Sequence, residues 1–164
     1  MARPHTIGIG LGLAVIAADQ LTKWWIAAWV MQPPRRIPVL PFFDLVLAWN
    51  RGISFGMFDA GSIWGPWLLS GIALVIVGFL GVWFCRAEML STTLALGLIM
   101  GGALGNVIDR VRLGAVIDFI DLHAGGYHWP AFNVADAAIT VGAILLIIET
   151  LFSRERKKRN IGGM

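Results

Sequence analysis

The chain has 164 residues, 57% of them hydrophobic and 14% charged, with a formal net charge of +3. Soluble domains carry about 25% charged residues, so this composition excludes an ordinary soluble protein and marks an integral membrane one. Its single cysteine, Cys85, excludes an internal disulfide and a cysteine-built zinc site, and at about 20 apolar residues per span the length suits one domain of a few spans.

The first predicted span covers residues 7–30. "TIGIGLGLAVIAA" alone would suit a signal peptide cut after Ala18, but the apolar run continues through Trp24, Trp25, Ile26, Ala27, Ala28, Trp29 and Val30, which is span length. At about 1.5 Å per residue from Ile7, Asp19 lies about 18 Å and Lys23 about 24 Å along the helix, both past the midplane. Their i, i+4 spacing puts them on one face. They read either as an intrahelical ion pair or as part of a site, because an ionisable group inside a membrane is costly and asks for a reason.

Residues 31–63 form a long loop, predicted to face outward. Within "VLPFFDLVLAWNRGISFGMF", Phe43, Leu45, Leu47 and Trp49 recur every second residue, opposite Asp44, Val46, Ala48 and Asn50. The alternation predicts short strands on the outer membrane surface; an interfacial aromatic belt is the other reading.

The second and third predicted spans cover residues 64–84 and 92–111. Entering near Thr92 from the same, cytoplasmic side as the first helix, the third helix carries Asn106 to about 21 Å and Asp109 to about 25 Å, with Arg110 beside it. The depth matches that of Asp19 and Lys23. Gly101, Gly102 and Gly105 in "GGALGN" provide small surfaces for close helix approach.

The second outward loop, residues 112–133, contains "VIDFIDLHAGGYHWPAFN". Asp118 interrupts an apolar run; in an extended backbone it shares a face with Val116 and Ile120, while Asp121 points the other way. His123 and His128 follow at a spacing too loose for a zinc site, so no metal and no cofactor is expected. The fourth predicted span, residues 134–152, opens with Asn133 at an N-cap position and Asp136 three residues on, where the helix dipole favours negative charge. The basic tail, residues 153–164, contains "SRERKKRN"; directly after an apolar span it reads as a cytoplasmic anchor rather than a nucleic-acid site.

Basic residues at Arg3, at Arg86 and in the tail from Arg154 to Arg159 place both termini in the cytoplasm, although Arg35, Arg36 and Arg51 in the first outward loop weaken the bias. Polar groups from three helices and a loop then meet at the outer membrane surface. Two close carboxyl groups in a partly desolvated pocket share one proton. Such a pair hydrolyses an amide without another nucleophile: one member takes a proton from water, the other donates to the carbonyl oxygen. Ser54 lacks a histidine partner and Cys85 lies at the cytoplasmic end. A small proton- or ion-coupled transporter and a structural subunit are the rival readings of the buried charges.

The motifs "DQLTK" (Asp19 to Lys23), "NRGISFG" (Asn50 to Gly56), "GGALGNVIDR" (Gly101 to Arg110), "VIDF" (Val116 to Phe119) and "FNVADAAI" (Phe132 to Ile139) stand in the order found in the bacterial lipoprotein signal peptidases, also called signal peptidase II, and the chain resembles that family across most of its length. Ile53 departs from it, standing where the family more often has a small residue. The resemblance implies an all-α membrane protein of four transmembrane helices with a small β-rich extracytoplasmic region. It implies an aspartic endopeptidase of the bacterial cytoplasmic (inner) membrane, with its site facing the periplasm or outer surface. It implies a catalytic dyad of Asp118 and Asp136, with Asp19, Lys23, Asn50, Gly52, Asn106, Asp109, Arg110 and Asn133 shaping the site or contacting substrate. The implied substrate is a diacylglyceryl-modified prolipoprotein, cut before its lipid-modified cysteine; membrane lipid is the surrounding partner and globomycin the expected inhibitor. No nucleic acid is expected, and a single four-helix unit suits a monomer.

Overall fold

The computed structural model describes residues 4–52 and 64–161, of which residues 152–161 are described by their backbone alone. Arg3, residues 53–56 of "NRGISFG" with Ile53 and Ser54, and the side chains of the basic tail lie outside the described residues.

In chain order the elements are helix α1 (Pro4–Trp25) with a π-helical turn (Ile26–Val30), strands β1 (Ile37–Leu40) and β2 (Phe43–Asn50), helices α2 (Trp64–Arg86) and α3 (Leu90–Leu113), strands β3 (Val116–Ala124) and β4 (Tyr127–His128), and helix α4 (Val134–Ile161). Four helical segments among the described residues are long and apolar enough to cross a membrane: Pro4–Val30, Trp64–Arg86, Leu90–Leu113 and Val134–Leu151.

Helix α3 is central. Half of its span is buried against other elements, compared with 11% of that of α2. The small residues explain why. A Cβ at Gly101 would stand 2.6 Å from the Gly12 carbonyl oxygen of α1, and one at Gly142 of α4 would stand 2.7 Å from the Ala95 carbonyl oxygen of α3. Between helices in a membrane, where lipid is as apolar as leucine, such close backbone approach supplies the dispersion contacts that hold the bundle.

Helix α3 ends where Gly114 takes a left-handed conformation (φ 69°) and donates its N–H to the Arg110 carbonyl oxygen at 3.0 Å, a helix-ending motif that favours glycine. The chain then turns directly into β3. The four strands pair antiparallel in the order β1-β2-β3-β4, with β3 and β4 joined through the two-residue turn Gly125-Gly126. Residues 129–132 run back along β3, Trp129 donating to the Leu122 carbonyl oxygen at 2.8 Å and Phe132 to that of Ile120 at 3.0 Å. This return delivers Asn133 and the start of α4 beside Asp118.

The sheet rests on the π-helical turn of α1. Ile117 and Phe119 of β3 pack on Ile26 and Met31, all of them buried, and each fully buried side chain of this kind contributes about 1.5–3 kcal/mol. The sheet therefore sits at the end of the bundle where α1 and α3 finish and α4 begins. Trp24, Trp25, Trp29, Trp64 and Trp67 are exposed near the same end, as an interfacial aromatic belt requires.

The alternation read from the sequence does not run unbroken. Leu45 pairs with Ile120 and Ala48 with Asp118, so β2 advances three residues while β3 advances two. This bulge moves Ala48 and Asn50 to the face of Asp118, whereas simple alternation grouped Leu45 with Leu47 and Trp49. Bulges commonly re-aim side chains beside active sites.

Candidate active site

Asn133 and Asp136 cap α4 reciprocally. The Asn133 side-chain oxygen accepts the Asp136 N–H at 3.0 Å, and Asp136 Oδ2 accepts the Asn133 N–H at 3.2 Å. This capping box satisfies two donors of the first turn and holds the Asp136 carboxylate in the positive end of the helix dipole. The other oxygen of Asp136, Oδ1, accepts from Asn106 Nδ2 at 2.8 Å. The cap predicted from the sequence therefore fixes Asp136 as well as the helix end.

Asp118 is almost fully buried, at 2% exposure. Its Oδ1 accepts from Asn133 Nδ2 at 2.7 Å and its Oδ2 from Asn50 Nδ2 at 3.0 Å. Asn133 thus touches both carboxylates. Burial pushes the Asp118 carboxyl above its ordinary value, Asn50 and Asn133 draw it down by donating to the ionised form, and the charge of Asp136 raises it again. The balance is upward. Asn50 is held in turn by Gly52, whose N–H reaches its side-chain oxygen at 2.9 Å. A side chain at Gly52 would collide with Leu69.

Lys23 lies at the centre of a second, deeper network. Its ammonium stands 2.8 Å from Asp19 Oδ2, 2.8 Å from Asp109 Oδ2 and 3.0 Å from Asn106 Oδ1. Asp19 Oδ1 accepts the Ala135 N–H at 3.0 Å, one residue before Asp136, and Asp109 Oδ2 accepts the Ile117 N–H at 3.2 Å, one residue before Asp118. The intrahelical ion pair is real but incomplete as an explanation: Asp19 also holds the backbone beside Asp136, and Asp109 the backbone beside Asp118. Gln20 completes the network, donating to Asp109 Oδ1 at 2.8 Å and to Asp19 Oδ2 at 3.2 Å. Sequence reasoning passed over it although it sits inside "DQLTK".

The half-buried Arg110 guanidinium acts electrostatically on Asp136, Asp118 and Asp109, and its Nε is buried without a hydrogen-bond partner among the described residues. The structure therefore brings Asp19, Lys23, Asn50, Gly52, Asn106, Asp109, Arg110, Asp118, Asn133 and Asp136 into one connected region. Asp121 is outside it, bonded through both oxygens to His128 Nδ1 at 2.9 Å. His123 stacks on His128 at 4.9 Å between ring centroids and lies 3.2 Å from buried Asp44 Oδ2. Burial pushes the Asp44 carboxyl up, but Arg36 and His123 outweigh it and hold it below the ordinary value. The histidines support the sheet. No group of three or more candidate metal ligands occurs among the described residues.

The arrangement offers two carboxylates locked at the junction of a strand and a helix start, suited to sharing a proton and to general acid–base work. The chain matches the family described as signal peptidase (SPase) II over residues 11–152. It is 46% identical over 155 residues to a lipoprotein signal peptidase of Methylobacterium sp. (strain 4-46), with 94% of each chain covered. It is 40% identical over 160 residues to a lipoprotein signal peptidase of Acinetobacter baumannii (strain SDF), covering 96% of this chain and 90% of the relative. A solved structure described as a bacterial membrane enzyme, determined by the in meso method, superposes with a TM-score of 0.80 at 34% identity, covering 93% of this chain and 92% of that one. A second solved structure so described gives 0.79 at 34% identity, covering 89% and 93%.

Proposed function

Because the chain belongs to the signal peptidase II family, we propose that Asp118 and Asp136 are the catalytic dyad with which it removes signal peptides from prolipoproteins. The observation that carries this reading is Asn133, which donates to one carboxylate and caps the helix that bears the other. In that pair the ionised member takes a proton from water as it attacks the scissile carbonyl, and the protonated member donates to the carbonyl oxygen. Asp19, Lys23, Asn106, Asp109 and Asn133 hold the dyad in place, while Asn50, Gly52 and Arg110 line it. Family membership gives the transporter reading no support.

The chain acts as a single membrane-embedded peptidase domain, residues 1–164, in the bacterial inner membrane, with both termini in the cytoplasm. The sheet and the dyad face the periplasm or outer surface. Supporting this orientation, Arg86 lies at the end of the bundle away from the sheet, while Trp24, Trp25, Trp29, Trp64 and Trp67 are exposed near the sheet. The substrate carries diacylglycerol on the cysteine after the cut. Its signal peptide and acyl chains lie in the bilayer, so a site at the boundary meets the scissile bond without moving it through water. Globomycin inhibits, membrane lipid surrounds the bundle, and the working unit is a monomer.

The test is cleavage of a diacylglyceryl-modified prolipoprotein by the purified chain in lipid, with the product read by mass spectrometry. The expected product begins at the lipid-bearing cysteine and its formation stops with globomycin. A cut elsewhere, or equal cleavage of the unlipidated precursor, would contradict the assignment.

A further inference from the structure

Four carboxylate oxygens make up the dyad, and each faces an N–H donor. Three of those donors cannot be reversed. Asp136 Oδ2 receives a backbone N–H, that of Asn133, at 3.2 Å. Asp136 Oδ1 receives Asn106 Nδ2 at 2.8 Å, and this amide cannot turn because its oxygen accepts from Lys23 at 3.0 Å; an ammonium has donors and no acceptor. Asp118 Oδ1 receives Asn133 Nδ2 at 2.7 Å, fixed because the Asn133 oxygen accepts the Asp136 N–H at 3.0 Å.

The fourth donor is different. Asp118 Oδ2 faces Asn50 Nδ2 at 3.0 Å, and Asn50 is an exposed residue whose amide oxygen is held by the Gly52 N–H at 2.9 Å. Turning that amide gives up one bond at the protein surface and presents an acceptor to Asp118. A proton on any of the other three oxygens weakens a charge-assisted bond that cannot be replaced.

From this asymmetry we infer that the proton shared by the dyad resides on Oδ2 of Asp118, with Asn50 turned to accept it, and that Asp136 is the carboxylate that activates water. The inference rests on the catalytic reading of the two residues and adds the role of each. The charged groups around the pair do not oppose it. Lys23 of α1 is committed to Asp19 and Asp109, and Arg110 of α3 interacts electrostatically with both Asp136 and Asp118. Asp136 also lies in the first turn of α4, where the dipole favours negative charge. Burial independently raises the proton affinity of Asp118.

The proton balance closes. Asp136 takes a proton from water as its oxygen bonds to the carbonyl carbon, and the Asp118 proton passes to the carbonyl oxygen. As the C–N bond breaks, Asp136 returns its proton to the leaving nitrogen and Asp118 recovers one from a hydroxyl of the intermediate. Each residue ends in its starting state.

The test is a pH titration of aspartate 13Cγ resonances in the full chain in lipid. The two signals are assigned by their loss in Asp118→Asn and Asp136→Asn, or by Asp→Glu at either position if an asparagine variant does not fold. Near neutral pH the Asp118 signal is expected at the carboxylic-acid position and the Asp136 signal at the carboxylate position. The reverse, or two carboxylate signals, would overturn the inference. Cleavage is measured on the same folded samples. If either asparagine variant still cleaves fully, the catalytic reading itself fails; if cleavage is lost while the signals are reversed, only the placement of the proton fails.

Discussion

Replacing Lys23 with methionine keeps the length and removes the charge of a side chain that is 2% exposed. The ammonium bonds Asp19 and Asp109, both at 2.8 Å, and Asn106 at 3.0 Å, so its loss leaves two buried carboxylates facing each other without a cation. Removing one partner of a buried ion pair costs about 3–5 kcal/mol. At about 2–4 °C per kcal/mol for a chain of this size, the thermal unfolding midpoint of Lys23→Met is expected to fall by about 6–20 °C. The damage reaches the dyad because Asp19 holds the Ala135 N–H and Asp109 the Ile117 N–H. Cleavage by the folded fraction is therefore expected to fall as well. Adding Asp19→Asn and Asp109→Asn removes the orphaned charges and is expected to restore much of the midpoint but not the activity. A Lys23→Met chain that melts within about 2 °C of the parent, a shift of roughly 1 kcal/mol or less, and cleaves normally would refute the role given to this network.

A Cβ at Gly102 would collide with the Ala135 carbonyl oxygen and stand 2.9 Å from Ile139 Cγ1, so Gly102→Ala is expected to cost about 1–3 kcal/mol and to slow cleavage by moving the helix that carries Asp136, as thermal unfolding and turnover on one preparation would show. Asp118 has a folded-state pKa raised above its ordinary 3.8. The folded state then holds the extra proton, so stability falls as pH rises from about that value through the raised pKa. Asp118→Asn is expected to abolish this loss and to melt higher than the parent at neutral pH, which unfolding midpoints across pH would check. Asp44 has the opposite sign: its pKa is lowered from 3.8 by Arg36 and His123 against burial, so its contribution is present above that value and lost as pH falls through the folded pKa. Asp44→Asn is expected to destabilise at neutral pH, by a margin that vanishes in acid.

The spans were legible because hydrocarbon thickness imposes a length on apolar runs, and the Asn133–Asp136 cap because its spacing is set by one helical turn. That Asp19, Lys23, Asn106 and Asp109 share one level followed from helical rise alone, and the structure joins them at the Lys23 ammonium. What the sequence hid depends on tertiary register. The β2 bulge that brings Asn50 to Asp118 inserts one residue into an otherwise regular alternation, and no residue type between Leu45 and Ala48 announces it. Gln20 was overlooked because a neutral amide next to Asp19 carries no cost that demands a partner until α3 is placed against it. His123 and His128 were candidate ligands by type, but strand pairing sets them on each other and on Asp44 and Asp121.

The catalytic assignment is tested most directly by comparing the parent chain with Asp118→Asn and Asp136→Asn in a lipid bilayer, on a diacylglyceryl-modified prolipoprotein, with and without a chelator and with unfolding curves for each. Both folded variants are expected to lose cleavage while the parent stays active in chelator. Full cleavage by either folded variant would contradict the dyad and direct attention to Asp19, Asp109 and Asp121; loss of parental activity in chelator would contradict the metal-free mechanism.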